Sequence, residues 1–98
     1  MSKFGELIEA SVPVLLEFFS ESDQISQKMN SVLRTVASEM ADDAKVIKID
    51  IEKNKELAEA LKIKELPTLM VYKEGEMKWR QAGELDSDAI VAIIKEYL

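Results

Sequence analysis

Two polar residues three positions apart, Asp23 and Ser26, stand in the stretch FFSESDQISQKM (Phe18 to Met29), where an apolar run gives way to an amphipathic one. A carboxylate and a hydroxyl at that spacing suggest acid–base or acyl-transfer chemistry. A serine nucleophile, however, needs a base beside it, and neither a histidine nor an obvious lysine accompanies Ser26. The chain has no cysteine and no histidine at all. That closes disulfides, thiolate nucleophiles, iron–sulfur ligation, zinc sites of ordinary ligands and imidazole bases, so no metal site and no cofactor is expected. Carboxylate and lysine chemistry stay open. A second pair, Glu17 and Lys48, is marked by its setting, each interrupting an apolar run, VPVLLEFF and VIKIDI. A carboxylate in a strand covered on both faces must find a partner or take up a proton, and Lys48 on a neighbouring strand is the natural partner of a buried charge pair.

These residues sit on readable elements. Apolar positions Phe4, Leu7, Ile8 and Ala10 have short helical spacing. Val12 to Phe19 is a nearly continuous β-branched and aromatic run, suited to a strand buried on both faces, with Pro13 near its start where a missing amide costs least. From Ile25 the set Met29, Val32, Leu33, Val36 and Met40 keeps to one face of a long helix, which ends near Asp42 and Asp43. Asp23 just ahead of it fits an N-cap, worth roughly 1 kcal/mol, and complements the helix dipole; Ser26 fits a first-turn residue.

Val46 to Ile51 reads as a strand, Leu57 to Ile63 as a short helix, and LMVY after Leu66-Pro67-Thr68 as a strand. Glu74-Gly75 signals a hairpin turn with glycine at the left-handed position. Met77 to Ala82 alternates as an edge strand would, with Trp79 covering the sheet. Asp86 or Ser87 caps a last helix whose face is Ala89, Ile90, Ile93, Ile94 and Tyr97. The order α, β, α, β, α, β, β, α, with no repeat and no linker, describes one α/β domain over residues 1–98, built as a mixed sheet with helices on both sides. The length of 98 residues, an apolar fraction of 47% and a charged fraction of 33% agree with a single globular core. Thirteen basic against nineteen acidic residues leave a net charge of −6, which argues against a nucleic-acid partner. No apolar run is long enough to span a membrane, and the start lacks the pattern of a secretory signal, so a cytoplasmic setting is the default expectation.

The segments PVLLEFFSES, VIKIDIEKNKELAEALKIKELPTLMVYKEGE and AGELDSDAI resemble thioredoxin in order and spacing over essentially the whole chain. The run from Ile63 to Leu69, I-x-x-x-P-T-L followed by K-E-G-E, is the most specific part. The resemblance implies the thioredoxin fold, a central mixed sheet of four to five strands flanked by helices on both faces. It also locates the family's W-C-G-P-C motif: Ser22 stands at the tryptophan, Asp23 at the attacking cysteine, Gln24 at the glycine, Ile25 at the proline and Ser26 at the resolving cysteine. Ser31 replaces the proline that kinks the family helix, so a straighter helix is expected. Pro67 matches the family's cis proline, and Leu66 before it offers its backbone to bound peptide. Glu17 and Lys48 fall at the positions of the family's buried acid and nearby lysine, which assist proton transfer to a cysteine absent here.

A carboxylate and an unactivated hydroxyl cannot perform thiol exchange. What the resemblance leaves is the docking rim: Ser22, Asp23, Gln24 and Ile25, then Glu65, Leu66 and Pro67, then Gly83 and Glu84. Its added acidic charge favours an extended protein or peptide segment of basic or polar character. The leading reading is a redox-inactive interaction module rather than an enzyme. Two alternatives stay open: an oxidoreductase by descent that depends on another chain's cysteines, and a structural subunit that self-associates.

Overall fold

In the computed structural model, residues 3–98 are described. The first helix, α1 (Lys3–Ile8), precedes β1 (Val14–Phe19), α2 (Gln24–Met40), β2 (Lys45–Asp50), α3 (Lys55–Ala60), β3 (Thr68–Lys73), β4 (Glu76–Ala82) and α4 (Ser87–Lys95). A single 3-10 turn, Ala41–Asp43, closes α2 at the aspartate pair. Four strands form one sheet in the order β2-β1-β3-β4. β1 runs parallel to β2 and antiparallel to β3, and β4 returns antiparallel to β3. The element order read from the sequence holds, and the sheet has the lower of the two strand numbers expected.

The period of two along β1 divides the core. Leu15 faces a cluster built with Met29, Leu33 and Val36 of α2 and Ile90 and Ile94 of α4. Val14, Leu16 and Phe18 face the other way, toward Ile8 of α1, with Leu57 of α3 packed at the margin. Residues Val14 to Phe18 are each fully buried, which is why the run is apolar without alternation. Trp79 is half-buried against the α2–α4 cluster, as a residue covering the sheet should be. α2 runs unbroken through Ser31.

The connections use specific local chemistry. Glu74 and Gly75 both have positive φ, +53° and +83°, the two-residue hairpin whose twist matches its strands. Their amides also close α1: Glu74 N donates to Ala10 O at 2.9 Å and Gly75 N to Ile8 O at 3.0 Å. The helix expected to reach Ile63 stops at Ala60 instead. Lys62 takes the left-handed conformation with φ +56°, Lys62 N donates to Glu59 O and Ile63 N reaches back to Ala58 O, which terminates the helix. The Arg80 guanidinium holds this turn from β4, donating to Leu61 O at 2.6 Å and Lys62 O at 3.0 Å.

A side chain at this left-handed position carries a steric cost that glycine does not. Lys62→Gly is therefore expected to raise the unfolding free energy by about 0.5–1 kcal/mol in denaturant titration. An unchanged or lower midpoint would contradict the strain assigned to Lys62.

Candidate functional site

Strand register brings three separated segments to one end of the sheet. Phe18 lies opposite Thr68, and Thr68 opposite Ala82. The chain leaving β1, the chain entering β3 and the chain leaving β4 therefore meet there, uniting Ser22 to Ile25, Glu65 to Pro67, and Gly83 with Glu84. Gly83 N donates to Pro67 O at 2.8 Å and ties two of the segments directly, with Gly83 at φ +97°. The Leu66–Pro67 peptide bond is cis. Thr68 Oγ1 donates to Glu65 O at 2.6 Å, fixing the approach to the proline. Pro67 is buried and Leu66 half-buried, whereas Ser22, Gln24, Ile25, Glu65 and Glu84 are exposed.

The turn after β1 is a small polar lattice. Asp23 N donates to Ser20 O at 3.1 Å, and the Asp23 carboxylate accepts from Ser26 N at 2.8 Å with an extended backbone, the geometry of a helix N-cap. Ser20 is buried; its hydroxyl lies 2.9 Å from Ser22 Oγ and donates to Glu52 Oε1 at 2.7 Å. Ser20 and Glu52 escaped the sequence reading, since nothing in local spacing links residues this far apart in the chain. The one available signal was composition: a small polar residue ending a buried strand.

Beneath the turn, Ser26 and Glu17 are sealed from water. Ser26 is 1% exposed and its Oγ has no hydrogen-bond partner, so it packs as a first-turn residue with no base bonded to its hydroxyl. Glu17 is 0% exposed, and neither of its carboxyl oxygens has a partner. The buried charge pair with Lys48 is not formed. The two residues are opposite one another in the β1–β2 ladder, but Lys48 is exposed, donates from Nζ to Asn30 Oδ1 and lies 4.4 Å over the Phe19 ring. An ammonium keeps water and a polar partner at the surface more cheaply than it follows a carboxyl group into the core. Burial consequently pushes the Glu17 carboxyl up to about 7, against a weaker opposing pull from Lys48.

Among the described residues the only ion pair is Lys78–Glu76, remote from this end of the sheet, so the acidic rim residues Asp23, Glu65 and Glu84 have no cationic partner. No group of three or more acidic side chains among the described residues is arranged to hold a metal ion.

The comparisons with known proteins concern the whole domain. A family model described as Thioredoxin matches residues 1–96. Thioredoxin Y, chloroplastic, of Oryza sativa subsp. japonica is 34% identical over 98 residues, covering 99% of this chain; the chain spans 58% of that protein's length. Thioredoxin 1 of Synechococcus elongatus is 26% identical over 93 residues, 95% of this chain and 87% of its own. A solved mutant thioredoxin from Halobacterium salinarum superposes with a TM-score of 0.89 at 29% identity, over 99% of this chain and 84% of its own.

The Glu17 carboxyl gives a measurable pH dependence. Its folded value of about 7 lies above the ordinary 4.5, so the folded chain holds the proton more tightly than the unfolded one. The stability it contributes is full below about pH 4.5 and is lost as pH rises through about 7, on the order of 3 kcal/mol in total. Glu17→Gln, which mimics the neutral acid, should be more stable than the parent by roughly 1–3 kcal/mol near pH 8, with the gap closing toward pH 5. A gap independent of pH, followed by urea unfolding, would show that Glu17 does not titrate in this range.

Proposed function

The chain belongs to the thioredoxin family, and on that premise we propose that it is a redox-inactive member that acts by binding protein, its rim taking an extended segment of basic or polar character. One observation carries this reading: the three backbone segments of the rim stay assembled and tied through Gly83 and Pro67, while the residues at the two sulfur positions are Asp23 and Ser26. The first is spent on capping α2 and the second is buried without a base, so neither offers a nucleophile to a substrate disulfide.

The exposed rim supplies what a peptide partner needs. Ile25, 40% exposed, offers an apolar contact. Leu66 offers backbone beside a turn that Thr68 Oγ1 ties through Glu65 O, and Asp23, Glu65 and Glu84 add negative charge without an ion pair among the described residues. Charge of one sign around a groove favours partners of the opposite sign and speeds their encounter.

Titrating labelled protein with a blocked, lysine- and serine-rich decapeptide should shift the amide resonances of residues 22–25, 65, 66, 83 and 84. Glu84→Lys should weaken that binding by about fivefold, about 1 kcal/mol. Shifts confined to other surfaces would overturn the rim assignment. A separate test addresses the missing sulfurs. The parent should show no dithiol-dependent reduction of a protein disulfide, and the double variant D23C/S26C should acquire it; turnover by the parent would refute redox inactivity.

A further inference from the structure

The sheet has two edges, and they are treated differently. β4 is guarded: its ladder with β3 is interrupted by a bulge between Val71 and Tyr72, its Lys78 carbonyl accepts from Tyr97 Oη at 3.2 Å, and Arg80 folds back onto the end of α3. β2 is regular over six residues, with an unbroken register to β1 from Lys45 to Asp50. Lys45 N donates to Pro13 O and Ile51 N to Phe19 O, so the odd-numbered residues of this strand turn their amides inward. By alternation Val46, Lys48 and Asp50 turn theirs outward. The Asp50 carbonyl is taken by Asn54 Nδ2 at 2.9 Å. The amide and carbonyl groups of Val46 and Lys48 have no partner among the described residues, and such a row is a template for another strand.

What flanks the edge is asymmetric. On the α2 side lies a hollow of about 330 Å³ whose charged lining residues are Arg34 and Lys48, set among Leu33, Ala37 and Val46. Neither cation forms an ion pair among the described residues; Lys48 contacts the neutral Asn30 amide and the Phe19 ring and acts on the buried Glu17 only through a weaker electrostatic pull. This is an uncompensated positive spot on a chain of net charge −6. On the opposite side a hollow of about 170 Å³ is walled mainly by Phe4, Leu7, Ile47, Ile49 and Leu57, with Leu7 38% exposed, while Lys3, Asn54 and Lys48, which borders both hollows, complete its lining. An added strand presents alternate side chains to these two sides.

We propose that the β2 edge is a second docking surface, distinct from the rim, that takes an extended partner segment in which acidic residues alternate with apolar ones. The acidic side chains lie along the α2 side against Arg34 and Lys48, the apolar ones settle over Phe4 and Leu7, and the partner's backbone pairs with Val46 and Lys48. Backbone pairing supplies affinity, and the two unlike flanks supply the choice of sequence.

The test uses blocked octapeptides of alternating valine and glutamate, with valine–lysine and valine–glutamine versions as controls. The glutamate peptide should bind saturably, slow hydrogen exchange at the Val46 and Lys48 amides, and lose affinity as salt rises. Arg34→Glu, an exposed helical position, should weaken it about tenfold, or by about 1.4 kcal/mol. Val46→Pro removes an amide that faces solvent and no bond to β1, so it should abolish strand addition while leaving the fold intact by circular dichroism. If that variant fails to fold, Arg34→Glu and the peptide controls still decide. The proposal is overturned if the valine–lysine peptide binds as well as the glutamate one, if exchange slows at residues 22–25, 65 and 66 instead, or if the Val46 amide is already protected by dimerisation without peptide.

Discussion

Everything in this molecule is hung on β1, a strand with neighbours along both edges and helices over both faces. Its burial constrains every side chain it carries, and for Glu17 that constraint has no relief. Lys48 is directly opposite, yet its ammonium remains at the surface with Asn30 and Phe19. Two energies decide this outcome. Bringing both charges inside would cost several kcal/mol of desolvation per ion, whereas a carboxyl group can avoid most of that cost by keeping its proton. The core therefore contains a carboxyl group that keeps its proton up to about pH 7, and its protonation is coupled to folding.

The same economy explains the turn above it. The first turn of α2 leaves amides that need an acceptor, and the positive end of the helix favours negative charge. Asp23 meets both needs, accepting from Ser26 N. A thiolate at this position would draw on the field for reactivity; a carboxylate draws on it for stability. With oxygen in place of sulfur, the polarised helix terminus serves here as a structural feature, capped by Asp23.

Most of the fold was legible because its signals are local. The double-sided burial of Val14 to Phe18, the single apolar face of α2, the Glu74-Gly75 turn and the caps at Asp23 and Asp86 each follow from residues within a few positions of one another. The convergence of the rim was legible through family resemblance rather than pattern. What escaped is nonlocal. The turn that ends α3 after Ala60 is gripped by Arg80, nineteen residues beyond Leu61; the apolar Ile63 still packs near the helix but belongs to its terminating loop. The Ser20–Glu52 bond joins residues thirty-two positions apart. The Glu17–Lys48 pairing was right about register and wrong about contact, because register is a property of the backbone while the reach of a lysine head toward water is not.

The two sheet edges extend this point to function. A strand edge is a hazard unless something blunts it, and β4 carries three such devices: a bulge, a tyrosine on its carbonyl and an arginine drawn across to a neighbouring helix. On β2 Asn54 covers the Asp50 carbonyl, and the other blunting agents among the described residues are charged side chains, Lys45, Lys48 and Asp50. Charge repels strands that share it and attracts those that complement it, so it is a selective guard where a bulge is an absolute one. Without thiols the chain cannot hold a partner through a disulfide. On the proposed reading the holding is noncovalent, and the backbone groups at Val46, Lys48 and Leu66 are where this fold would supply it.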